Sequence, residues 1–186
     1  MENIKVGDVT TATLVRGVGA EDAMQLNGYY TVECLDASGN RKWDDEIHNL
    51  VTTVGKNLTM DTVLGNAAAG AVVMGLKGTG TAAVGDTQVS HAGWLEVGGT
   101  NAPAYTGTRP TPTFGAAAAG AKATSVAVIF SMTSSGTVAG AFINIGGSAT
   151  KDSTTGTLFS VGDFTGGSRT VANGDTINVS YTATAA

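Results

Sequence analysis

Between Gly28 and His48 the chain reads GYYTVECL, DASGN and RKWDDEIH, and this stretch limits the fold more than any other. A β-branched and aromatic run, a cluster of turn formers and a second run of similar length predict a β-hairpin. Side chains alternate across a strand, so Tyr29, Thr31, Glu33 and Leu35 share one face and Tyr30, Val32 and Cys34 the other. The second set is the more apolar and is the expected core face.

The same grammar continues downstream. AVVMGLK at 71–77 is a nearly continuous apolar strand, and GWLEV at 93–97 alternates. TSVAVIFSM at 124–132 and TVAGAFINI at 137–145 flank TSSG and predict a second hairpin. The turn ANGD at 172–175 leads into DTINVSYTAT at 175–184, which places Ile177, Val179 and Tyr181 on one face. TLFSVGDF at 157–164 suits either a strand or one helical turn. One segment has helical spacing: Val54, Leu58, Asp61 and Val63 or Leu64 recur before Gly65, predicting a single short helix near 53–64. The fold class expected is mainly β, a β-sandwich of jelly-roll or immunoglobulin-like type, over residues 28–186. Residues 1–27 show no sustained period and read as an extended N-terminal arm, with a first strand around VTTATLV at 9–15 as the alternative. GTGTAAVGD at 78–86 and FGAAAAGAK at 114–122 read as small-residue linkers. The segment 101–113 holds all three prolines, which exclude a central strand there.

Composition narrows the function. Gly, Ala and Thr supply 82 of 186 residues, and charged residues only 13%, about half the usual share. The formal net charge of −5, with no basic cluster, argues against direct nucleic-acid binding. Residues 97–186 carry only 3 acidic and 4 basic side chains. So bare a surface is expected either to be covered by other subunits or to be solvated by Thr, Ser and Asn. No stretch is long and apolar enough to span a bilayer, and no basic region precedes an apolar run near the start, which predicts a soluble protein without membrane contact. The lone Cys34 excludes a disulfide scaffold and reads as a small buried residue.

Residues able to do chemistry are sparse. His48 and His91 are the bases available near neutral pH, and each reads as a packing or hydrogen-bonding residue, since no nucleophile motif accompanies them. One Cys and two distant His residues do not make a zinc site. Asp44, Asp45 and Glu46 put three carboxylates in a row, but a strand turns consecutive side chains to opposite faces, so a charged hairpin edge is expected instead of calcium. GTGT at 78–81 lacks the ending of a phosphate loop. Sequons at Asn57 and Asn178 have no secretory signal to give them relevance. Trp43, Trp94, Tyr29, Tyr30 and Tyr105 suggest a carbohydrate-stacking platform, with core or subunit packing as the competing and preferred reading. No catalytic, cofactor-binding or metal-ligating residue is therefore named, no cofactor is expected, and an enzyme is not expected.

The segment GYYTVECLDASGNRKWDDEIHNLVTTVGKN at 28–57, with MGLKGTGT at 74–81, SHAGWLEV at 90–97, TRPTPTFGA at 108–116 and GTLFSVGDF at 156–164, resembles a family of virion structural proteins of tailed bacteriophages. The resemblance covers roughly residues 28–184 and rests on packing and turn residues. It implies a non-enzymatic subunit located in the virion and assembled in the host bacterial cytoplasm. The expected role is a capsid decoration or cement protein stabilising the head, with other virion proteins, the major capsid protein first, as partners. A symmetric homo-oligomer is expected, a trimer among its forms. The alternatives are a tail or neck component, such as a fibre or adaptor subunit, and a carbohydrate-binding module that contacts the host. A glycosidase would need two carboxyls across a cleft, for which Asp44, Asp45, Glu46 and Glu96 are the candidates.

Overall fold

The computed structural model describes residues 25–186, and the predicted hairpin opens it. Strand β1 (Leu26–Leu35) turns through Asp36, whose Oδ1 accepts the amides of Ser38 and Asn40 at 2.8 Å, into β2 (Arg41–His48). Residues 1–24 of the expected arm lie outside the described residues; Leu26 and Asn27 belong to β1. The ladder starts before Gly28 because β1 is paired along its whole length with the last strand, β12 (Thr176–Ala185), and Gln25 and Ala186 exchange two further backbone hydrogen bonds.

Between them run β3 (Leu50–Val51), α1 (Thr53–Val63), β4 (Val72–Gly80), β5 (Trp94–Val97), β6 (Ala121–Ala123) and β7 (Val128–Ser131). Next come β8 (Gly136–Val138), β9 (Gly140–Ile145), β10 (Thr157–Asp163) and β11 (Arg169–Val171). One antiparallel sheet runs β2-β1-β12-β6, with β7 on the same edge of β12 as β6. The other runs β3-β10-β9-β4-β5, and β8 pairs β11 in a small third sheet. The two large sheets face each other in a sandwich-like arrangement, so the mainly β reading with one short helix holds.

The core is the predicted face and its counterpart. Tyr30, Val32 and Cys34 of β1 and Ile177, Val179 and Tyr181 of β12 pack with Met74, Leu76, Ala141 and Ile143 of the second sheet. Each such side chain contributes about 1.5–3 kcal/mol by leaving water. The Tyr30 hydroxyl spans the layers to Ser160 Oγ at 2.6 Å, which satisfies both groups inside the sandwich.

Two expectations are corrected. The segments 124–132 and 137–145 do not form a hairpin: β7 pairs with β12 in the first sheet, while β9 sits between β10 and β4 in the second. TSSG therefore leads from β7 of the first sheet into β8 of the small third sheet, and β9 of the second sheet follows. The physical reason is that β9 is buried on both faces, from Gly140 to Ile143 and beyond, and a strand of that kind needs neighbours on both edges. The linker read at 78–86 begins instead as the end of β4, which bulges between Lys77 and Gly80. Gly80 has φ +108°, and a Cβ there would lie 2.0 Å from the Gly93 carbonyl oxygen, so only glycine fits. Residues 157–164, left open above, supply the strand β10.

Candidate functional site

Sheets that pack on both faces collect polar side chains in awkward places, and the second sheet does so on the face turned away from the main core. That face carries a smaller apolar cluster of Trp94, Phe142, Leu158 and Val161. Across it runs a row set by the ladder: Glu96 of β5 opposite Lys77 of β4, then Gly140 of β9, then Asp163 of β10. Gly140 has no side chain, and a Cβ there would lie 1.9 Å from the Gly162 carbonyl oxygen. The gap lets Lys77 reach over β9 to the Asp163 carboxylate.

Lys77 is fully buried, yet its ammonium donates to Asp163 and to the carbonyls of Gly78 and Gly80. Those three acceptors take all three of its hydrogens and tie the side chain to the sheet. The neighbouring pair is equally complete. Arg109 Nε and Nη2 donate to the two oxygens of Glu96 at 2.9 and 2.5 Å, Nη1 to Ser148 O at 3.1 Å and Nη2 also to Ser153 O at 2.9 Å. The Asp152 amide adds a bond to Glu96 Oε2 at 3.0 Å, and the guanidinium lies 5.4 Å from the Phe142 ring centre. Two buried opposite charges so arranged neutralise each other and fix the 109 and 148–153 segments onto the sheet.

Beside this pair opens a polar cleft of about 370 Å³, lined by Gln88, His91, Glu96, Asn101, Asp152 and Ser153 among others. His91 does not face a nucleophile: its ring stacks on Trp94 at 4.0 Å, and its Nδ1 donates to the Trp94 carbonyl oxygen at 3.1 Å. The Trp94 indole in turn donates to Asp86 at 2.9 Å. His48 is exposed at the end of β2, in the other sheet. Glu96 is committed to Arg109, so the cleft brings no free acid and base together from the candidates named in the sequence.

The three-carboxylate run splits as strand geometry requires. Asp44 and Glu46 stand exposed on the outer face of β2 and fit the charged-edge reading. Asp45 departs from it: it turns inward and accepts from Arg169 Nε and Nη2 at 2.9 and 2.7 Å, Thr165 Oγ1 at 2.9 Å and the Gly166 amide at 3.1 Å. Burial pushes its pKa up, but the Arg169 guanidinium and the surrounding donors outweigh that and hold the carboxyl below its usual value. Among the described residues, no group of three or more His, Cys, Asp or Glu side chains is placed to hold a metal ion, and no helix is long and apolar enough to cross a membrane.

The aromatic residues do not converge. Tyr30, Trp94 and Tyr105 are buried, Trp43 is half-buried with its indole donating to Thr170 O at 3.2 Å, and Tyr29 alone of the five is exposed. Sequence reasoning missed Lys77, Arg109 and Arg169 as organisers. The available signal was a lysine in the otherwise apolar run VVMGLKG and an arginine beside proline.

Every charged side chain of residues 97–186 is used inside the chain. Arg109 and Arg169 bind Glu96 and Asp45; Asp163 and Asp175 bind Lys77 and Lys42. Lys151 donates to Gly98 O and Tyr105 O, Lys122 to Gly115 O, and Asp152 accepts the Thr100 amide. Within the same residues, Val126 and Ile129 are aliphatic side chains that stand exposed. Comparison with family models, curated proteins and solved structures returns no match.

Proposed function

We propose that this chain is a non-enzymatic structural subunit of a tailed-bacteriophage particle, acting as a decoration or cement protein on the head. The observation that carries the reading is the internal commitment of every charge in the second half, with Val126 and Ile129 exposed along the β7 region. A surface with little free charge and standing aliphatic side chains is suited to burial against other protein, because few ions must be desolvated there. The motif resemblance points the same way. Its partners on this reading are the major capsid protein and further copies of itself, and residues 1–24 extend the contact to a neighbouring subunit. A deletion of residues 2–24 spares β1 and tests this directly. Its binding to expanded heads, followed by cosedimentation, is expected to be lost while circular dichroism keeps the β signature; undiminished binding overturns the role given to the segment.

A further inference from the structure

The polar cleft of about 370 Å³ lies along β5, the outermost strand of the second sheet, and its polar groups are short of hydrogens. Gln88 lines it and is 2% exposed; its Nε2 donates to Ser153 O at 3.1 Å, and its Oε1 has no hydrogen-bond partner among the described residues. A buried acceptor left in that state costs free energy until a donor reaches it. Asn101 uses its Nδ2 on Glu96 O at 2.9 Å, which leaves its oxygen for another donor. His91 donates through Nδ1, so in the neutral ring Nε2 is an acceptor. Asp152 accepts the Thr100 amide at Oδ2, 2.6 Å away, and its carboxylate enters no ion pair among the described residues. The backbone is bent to put that carboxylate there. Asp152 has φ +61°, in the left-handed region that a non-glycine residue adopts at a cost, and a Cβ at Gly99 would lie 2.2 Å from its Oδ2.

We infer that this cleft binds the guanidinium of an arginine side chain presented by another protein. Neutral acceptors gathered around a carboxylate without a counter-ion select a cation that carries many hydrogens. The acceptors come from three separate segments, around 88–91, at 101 and at 152, and a planar guanidinium with five N–H donors reaches several of them where an ammonium offers three from one point. The charges already beside the cleft do not oppose it. Arg109 is neutralised by Glu96, and Lys151 is drawn to Gly98 O and Tyr105 O, with its ammonium 4.1 Å from the Tyr105 ring centre. Val89 and Leu95 line the same cleft and are 75% and 58% exposed, which offers apolar surface to the three methylenes of the arginine stem. The site belongs to the isolated chain and is independent of the virion reading.

Titration of the isotope-labelled full-length protein with N-acetylargininamide, followed through its amide NMR signals, tests this. A ligand so small is expected to bind with a Kd of about a millimolar and to shift the amides of Thr100, Asp152 and Ser153 in a saturable way. N-acetylcitrullinamide, which has a similar shape and no charge, is expected to bind about ten-fold more weakly. Asp152→Asn is expected to weaken the arginine probe about ten-fold with an unchanged unfolding midpoint, because asparagine also tolerates left-handed backbone and still accepts the Thr100 amide. Absence of a saturable shift, shifts confined to another part of the surface, or equal binding of the citrulline probe overturns the site. Undiminished binding to Asp152→Asn overturns the part given to that carboxylate and the site with it. Equal binding of N-acetyllysinamide overturns the choice of a guanidinium.

Discussion

Glu96 and Arg109 are 4% and 1% exposed and face each other through two charge-assisted hydrogen bonds. Removing one partner leaves a buried ion without compensation, so Glu96→Ala is expected to cost about 3–5 kcal/mol in urea unfolding, and the double replacement by apolar residues less than the two single losses together. Asp45 gives a pH signature. Its folded pKa lies below the unfolded one, so its contribution is present above the unfolded carboxylate value near 3.9 and is lost as pH falls through the folded value. The stability gap between the parent and Asp45→Asn should then be constant from about pH 5 upward and close as the solution is acidified below about pH 4. Cys34 is buried against β12, and burial first, then the nearby Asp175 carboxylate, raises its pKa to about 11. Thiol reagents at pH 8 should leave it unmodified until denaturant is added, as read by intact mass. Of these residues only Cys34 was legible in the sequence. Asp45 and Arg169 are 124 positions apart and Lys77 and Asp163 are 86 apart, and no local pattern announces pairs that only sheet order brings together.

At the scale of the element, α1 was placed by spacing and yet held by something else. Thr53–Val63 falls within the expected span, and Gly65, at φ +88°, stops it as predicted. The apolar residues that gave the pattern are only partly what it covers: Val54 and Leu58 are half-buried and Val63 and Leu64 exposed, while Gly55 is its one fully buried residue. A Cβ at Gly55 would lie 2.3 Å from the Phe159 carbonyl oxygen, so the helix backbone rests directly on β10. Gly to Ala ordinarily favours a helix interior by about 1 kcal/mol, but an overpacked contact costs about 1–3 kcal/mol, so Gly55→Ala is expected to lower the thermal midpoint. The Thr52 cap accepts the Gly55 amide at 3.0 Å and donates to Leu158 O, and Thr52→Ala is expected to cost about 0.5–2 kcal/mol. The hairpin at 28–48 was fully legible because its turn and both faces are local. The strands at 124–145 were not, because each is completed by a partner distant in the chain, and adjacency with a good turn imitates a hairpin.

The whole molecule joins these scales. Sheet order and local turns tie the second half's charges to partners within the chain, while Val126 and Ile129 stand exposed. The low charge was readable from composition; its destination was not, since that depends on which strands meet. If this surface is buried in a particle, as proposed, immunogold labelling of whole particles with an antibody against this chain should distribute label over the head. Label confined to the tail, or absent from the particle, would rule that role out.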